Sequence, residues 1–458
     1  MSNIQPRDYS WRSSQGFIIF VAVLGLFSET FLYAFIVPIL SYMVEVRLQL
    51  PSSQTQRLTT ALLTTHGFVS VASAPIIAHF ADKTPNRKIP LLLALTGSTV
   101  GTLLLAICPS VWVVFVGRII QAASGSAGWI IGFATLTDNV RPDQIGRVLG
   151  TAMSFVTAGI VAGPMVSGAL LQLLGYWAAW SVPLMLLALD FIARLVMLDK
   201  DDTQVAPLEH ASINEREALL RPEAHQSKSD LEQQHLEPQS LGFYRIVLCN
   251  IRIMVGLLNT VMFSMILSGF DATLPLHLQR IFHWGPLQVG FIFLGLQVPG
   301  MVLGPVVGWL RDKVGLRCPT TIGWILIAPL LWLLAVPKTG VNWADHGPNG
   351  KIIFIAGIIG IGSVAPLVRG AGTFQLIAVT NDLQVKNPSI FGTHGGSSRI
   401  FSITEVAFNI GTMLGPLLSG ILVEAFDFWR MTAVFGTMSL AVGLSSYVFL
   451  SREYPKRS

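Results

Sequence analysis

Three carboxylates and one arginine lie inside runs of apolar residues: Glu29 in FSETFLYAFIVPIL, Asp271 four residues before Pro275, Glu405 in ITEVAFNIGTMLGP, and Arg118 in GRIIQAASGSAG. A carboxylate in a low-dielectric interior can exchange a proton near physiological pH. A cationic solute takes the same site only once that proton has left, so competition for one carboxyl group suffices to exchange the two species. Glu29 and Glu405 are the leading candidates for this chemistry, with packing acids in a buried network as the structural alternative. Asp271 falls near the outer end of its expected helix, where solvation alone would account for it. An arginine at the middle of an apolar helix costs on the order of several kcal/mol unless it is paired or hydrated. Arg118 therefore needs a partner, either an ionisable group or backbone carbonyls.

The elements that carry these residues follow from composition. The chain has 458 residues, 52% hydrophobic and 12% charged, with a mean hydropathy of +0.60. An ordinary soluble domain is roughly 25% charged. About twelve spans of ~20 residues each would account for the apolar content. The expected fold is an all-α membrane protein with twelve transmembrane helices in two six-helix halves. Apolar runs bounded by charge, Pro or Gly place the spans at 16–40, 58–81, 89–109, 111–137, 145–172 and 177–198. The second six fall at 246–274, 286–310, 319–337, 351–380, 399–423 and 428–450. The resulting organisation is an N-terminal tail (1–15), a first half (16–198), a linker (199–245), a second half (246–450) and a C-terminal tail (451–458). The first run is too long for the core of a signal peptide and reads as a retained span.

The net charge of +5 is unevenly spread. Residues 199–238 hold ten acids and four bases, a local charge of −6, which leaves +11 elsewhere. The remaining bases cluster between spans, as at Lys83, Arg87 and Lys88; Arg141 and Arg147; Arg311, Lys313 and Arg317; Lys386 and Arg399. Short basic loops stay cytoplasmic, so these patches set topology and do not point to nucleic acid. Both tails and the linker then lie on the cytoplasmic side. The linker is polar and poor in aromatics, so it cannot bury a core.

Nothing in the chain suggests an enzyme or a cofactor. A Walker loop and an HExxH motif are both missing, and Cys108, Cys249 and Cys318 show neither zinc spacing nor a disulfide framework. The nine histidines are scattered, so no metal site is expected. Two internal repeats tie the halves together. Pro75, Asp82, Lys83 and Arg87 recur as Pro305, Asp312, Lys313 and Arg317, each shifted by 230 residues. Gly159, Gly163, Pro164, Ser167 and Gly168 recur as Gly411, Gly415, Pro416, Ser419 and Gly420, each shifted by 252. Duplicated halves around a polar linker are a common design of secondary transporters.

With these motifs in order, the chain resembles major facilitator superfamily transporters of the twelve-span drug:proton antiporter type, including vesicular amine transporters and fungal toxin or metabolite exporters. The resemblance covers most of residues 16–450 outside the linker. It implies that Asp82, Lys83 and Arg87, with Asp312, Lys313 and Arg317, form cytoplasmic latches that break as the halves rock. Pro85 and Asn86 replace the usual small or glycine-containing turn, and Ala78 replaces the leading glycine. Arg118 matches the family's fourth-span arginine, linked to proton coupling. Gly159, Gly163, Pro164 and Gly168 match the antiporter signature of span five, with Ser167 in place of a glycine.

Glu29 is nine residues before Pro38, where amine transporters have an aspartate, and Glu405 stands where the family has an acid before Val-Ala-Phe. Asp271 likewise matches an acid four residues before a proline. His66 departs from the family, because amine transporters carry a lysine there. A group that titrates near neutrality replaces a permanent cation, which argues against strict amine specificity.

Asp190 and Arg194, four apart on span six, suit an intrahelical ion pair. Arg369 in span ten has no family counterpart. Trp129, Phe133, Phe155, Phe263 and Phe270 are candidates to line an apolar cavity, or to face lipid and neighbouring helices.

The expected activity is proton-coupled antiport of a small apolar or cationic compound by a monomer. A multi-pass location in the plasma membrane is favoured, with vacuolar or vesicular membranes as alternatives. A nutrient symporter on the same fold, and a sensor signalling through the linker, are the rival readings.

Overall fold

The computed structural model describes residues 12, 14–83, 88–140, 145–197, 249–335, 348–386 and 397–450. The proposed linker, Arg87, Asp143 and the C-terminal tail lie outside these residues. So do the side chains of Asp82, Lys83, Asp138, Arg147, Asp312, Lys386 and Arg399.

A chain in lipid must satisfy its backbone polar groups within each segment, and helices do so. The first half contains α1 (Gln15–Phe35), α2 (Ser52–Lys83), α3 (Lys88–Ile107), α4 (Val111–Asn139), α5 (Ile145–Leu173) and α6 (Tyr176–Val196). The second contains α7 (Ile251–Phe282), α8 (Pro286–Val314), α9 (Arg317–Leu333), α10 in two pieces (Pro348–Val368 and Ala371–Lys386), α11 (Ser397–Ala425) and α12 (Phe428–Phe449). Eleven of these helices are long and apolar enough to cross a bilayer; α9 is the shorter twelfth. At a rise of ~1.5 Å per residue even α9 approaches the thickness of a hydrocarbon core.

Several helix ends differ from expectation. Helix α1 stops at Phe35, before 40, because Pro38 brings no N–H; Val37 N–H bonds the Ala34 carbonyl instead. Helix α7 runs through Pro275 to Phe282. That proline withholds one backbone donor, from the Asp271 carbonyl four residues earlier, without ending the helix. Asp271 therefore lies well inside α7, and the expected position near a helix end is corrected. Many hydroxyls within the spans bond back to carbonyls four residues earlier, as Ser28 does to Leu24 and Thr135 to Ile131, and so satisfy their own donors.

Helices α1–α6 pack chiefly on one another, as do α7–α12; the halves meet along α2–α11, α5–α8 and α2–α7. The glycines of the second repeat explain both kinds of contact. A Cβ on Gly159 would lie 2.7 Å from the Phe27 carbonyl, and one on Gly163 would lie 2.9 Å from the Phe31 carbonyl. Only glycine allows α5 so close to α1. Their repeat partners Gly411 and Gly415 press on α7 at Val261 and Met265 in the same way. One step further along each helix, Gly168 meets Pro286 of α8 and Gly420 meets Thr60 of α2, so the same motif also joins the halves. Trp112, at one end of α4, is 81% exposed. Such a ring suits a membrane interface, where an amphipathic aromatic is at home.

Candidate functional site

Glu29 projects from α1 toward α3 and α4. Ser98 Oγ donates to its Oε1 at 2.9 Å. A methyl group on Gly125 would lie 2.8 Å from Oε2, and one on Gly128 would lie 3.3 Å from Oε1. The two glycines of α4 thus make the space that the carboxylate occupies. One turn earlier on α1, the guanidinium of Arg194 fills the place that a side chain on Gly25 would take. Arg194 Nε bonds Asp190 Oδ1 at 3.0 Å, and both residues are buried. The i,i+4 ion pair expected on α6 is present, and it also neighbours Glu29.

A second cluster centres on Tyr33, one turn beyond Glu29. Its hydroxyl donates to Asp271 Oδ2 at 3.2 Å, across from α1 to α7. The His66 ring lies 5.1 Å from the Tyr33 ring, and the Arg118 guanidinium carbon lies 5.6 Å from it. Arg118 is fully buried. Its Nη1 donates to Gln121 Oε1 at 2.6 Å, Gln121 Nε2 donates to Thr102 Oγ1 at 3.1 Å, and Thr102 donates to the Ser98 carbonyl. A polar thread therefore runs from Arg118 along α3 to the residue that bonds Glu29. Arg118 Nε and Nη2, with His66 Nδ1, are buried without a bond among the described residues. Arg118 is thus bonded by Gln121 and lies over the Tyr33 ring, while Asp271 acts on it only through space, past that ring.

Glu405, on α11, accepts from Asn409 Nδ2 at 3.1 Å. The indole of Trp129, on α4 of the other half, lies close to this carboxylate. Trp129 packs edge-on to Phe133 at 4.9 Å. Glu29, His66, Asp271 and Glu405 all lie deep along their helices yet keep part of their surface open.

The other predicted residues are dispersed. Lys313 lies 4.1 Å from the Trp309 ring centre, and Arg317 lies 4.5 Å from that of Tyr447. The acid of each latch is outside the described side chains. Gly159, Gly163, Pro164 and Gly168, with Gly415 and Pro416, sit at helix contacts and not beside the carboxylates. Among the aromatic candidates, Trp129 and Phe133 join the Glu405 site, Phe263 lies under Arg369, Phe270 is buried in the second-half core, and Phe155 is half exposed. Sequence reasoning missed Tyr33, Ser98, Thr102 and Asn409. Of these, Asn409 carried a usable signal, one turn after Glu405 on the same helix.

The family model for the Major Facilitator Superfamily matches residues 19–375. The chain belongs to this superfamily. As a member it is a multi-pass membrane transporter of small molecules and not an enzyme. The transporter is 27% identical to an uncharacterised MFS-type transporter, C18.02, of Schizosaccharomyces pombe, over 94% of this chain and 95% of that one. It is 23% identical to the multidrug resistance protein MdtG of Proteus mirabilis, over 99% of this chain and 100% of that one. Its fold is similar to the crystal structure of a mutant of the nucleoside transporter NupG, with a TM-score of 0.66 and 13% identity, covering 95% of this chain and 100% of that one.

Proposed function

We propose that this transporter is a proton-coupled antiporter that exports a small apolar or cationic compound by alternating access. The observation that carries this reading is that a hydroxyl of the first half, on Tyr33, bonds a second-half carboxylate, Asp271, while Trp129 of the first half lies close to Glu405. The halves cannot separate at Tyr33 without releasing the Asp271 carboxylate. A released carboxylate takes either a proton or a cationic solute, and each occupant favours the arrangement of the halves that it fits better. Glu29 supplies a third acid, linked through Ser98, Thr102 and Gln121 to Arg118.

The direction of export is supported by the Gly159–Gly168 signature in α5 and by the similarity to a protein named for multidrug resistance. His66 beside Tyr33, where amine transporters have lysine, favours a substrate range wider than amines.

The test is proton movement in vesicles that hold the purified protein and an imposed pH gradient, with a panel of lipophilic amines, dyes and neutral metabolites. Substrate-dependent collapse of the gradient is expected, and its loss in Glu29→Gln and in Glu405→Gln. Full substrate-driven proton movement in both variants would falsify the assignment.

A further inference from the structure

We propose that Arg369, at the break in α10, is an anion-binding residue, so that the transported compound carries a carboxylate or a comparable oxyanion beside its cationic group; the solute half of this statement rests on the transport reading above and narrows it. Arg369 sits at the break between the two pieces of α10. Its Nη2 donates to Gln297 Oε1 at 3.0 Å, near the midpoint of α8. The guanidinium carbon lies 5.4 Å from the centre of the Phe263 ring on α7. The side chain is thus lodged between three helices of the second half, yet part of its surface stays open.

What sets this cation apart is the absence of compensation. Arg194 has Asp190 in a direct ion pair, and Asp271 acts on Arg118 through space, past the Tyr33 ring. Among the described residues, no acid is paired with Arg369. The backbone carbonyls freed by the helix break do not serve it either. Arg311 Nη2 takes those of Pro366, Leu367 and Arg369 itself, at 2.9, 2.8 and 2.9 Å. Gly370, at φ +75°, makes the turn that lets the helix restart. The break is therefore held by Arg311 and Gly370, and Arg369 is not needed for it.

A cation at this depth is costly unless it has a function. A guanidinium carries five N–H donors in a planar fork that matches a carboxylate in two parallel bonds. Gln297 engages one donor and fixes the fork's orientation, while Phe263 covers a face. The carboxylates at Glu29, Asp271 and Glu405 are not on this cation, so a compound with both an amine and an acid could be held at two separate points.

The test uses the full-length protein in detergent, with no gradient, treated with phenylglyoxal and mapped by mass spectrometry. Benzoate is the anion probe, and benzyltrimethylammonium is the cation of similar shape. Arg369 is expected to react, and a saturating level of benzoate is expected to slow it about tenfold. Benzyltrimethylammonium should leave that rate unchanged, and the exposed Arg57 should react equally in every case. In Gln297→Ala the benzoate concentration for half-protection should rise about threefold, as the fork loses its orientation. An Arg369 that does not react, or reacts at one rate with and without benzoate, overturns the proposal. Because no proton flux enters this measurement, lost antiport with intact benzoate protection would remove the coupling reading and leave the anion site. The converse result would do the opposite.

Discussion

Glu29 is bonded by Ser98 and seated on Gly125 and Gly128, all in the first half, whereas Asp271 is bonded by Tyr33 and Glu405 is neighboured by Trp129, both of the opposite half. Under the proposed alternating access, the contrast assigns different duties to similar groups. In the proposed rocking of the halves as rigid bodies, the surroundings of Glu29 travel with it. Those of Asp271 and Glu405 change, because Tyr33 and Trp129 belong to the other half. On this reading the occupancy of the second-half acids is tied to the arrangement of the halves, and that of Glu29 to the polar thread inside one half.

The largest effect is expected at the ion pair beside Glu29. Arg194→Met leaves Asp190 buried without its partner, a loss of about 3–5 kcal/mol that thermal unfolding in detergent would register. Adding Asp190→Leu should restore much of that stability, since an apolar pair replaces the charges. Unchanged unfolding in the single variant would show that the first-half network is not rigid.

Next in size are the contacts that cross between halves. Tyr33→Phe removes a hydrogen bond to a carboxylate, worth about 1.5–3 kcal/mol, and Trp129→Phe removes the indole N–H close to Glu405. Spin labels at Leu174 and Trp284, at the neighbouring ends of α5 and α8, should show more of the separated state in both variants. Ser98→Ala should leave those distances unaltered. Equal responses from all three would erase the distinction between the two regions.

A smaller effect is expected at Gly125→Ala. The added methyl meets Glu29 Oε2, which must shift aside, and should reduce substrate-driven proton movement with little loss of fold. Smallest is Asn409→Ala, which removes one bond within α11 to Glu405 at a cost of about 1 kcal/mol. A shift of a few-fold in the substrate concentration for half-maximal flux is the expected reading. A larger change than that in Trp129→Phe would make Asn409, and not the crossing contact, the main support of Glu405.

Much of the architecture was legible in the chain. The apolar runs located the twelve spans, and the repeats offset by 230 and 252 residues showed that they fall into two related sets. Glu29, Asp271, Glu405 and Arg118 could be singled out because a charge within an apolar run is costly and invites a reason. The polar neighbours were not legible. Ser98, Thr102 and Tyr33 are ordinary residues in a span, where a hydroxyl can satisfy itself on its own helix. The end of α7 was misjudged because a proline looks like a stop; it removes only one donor, and the segment beyond it had apolar surface to bury.

By itself, the sequence determined the class, the spans, their duplication and the identity of the ionisable groups, because each is a matter of local hydrophobicity or of residue type. Only the tertiary structure decided which of those groups meet. Tyr33 and Asp271 are 238 residues apart and on different halves. Among the described residues Arg369 pairs with no acid, because of where α7, α8 and the broken α10 place it. Such pairings depend on how helices pack and rotate against one another, and no local pattern along one helix encodes that.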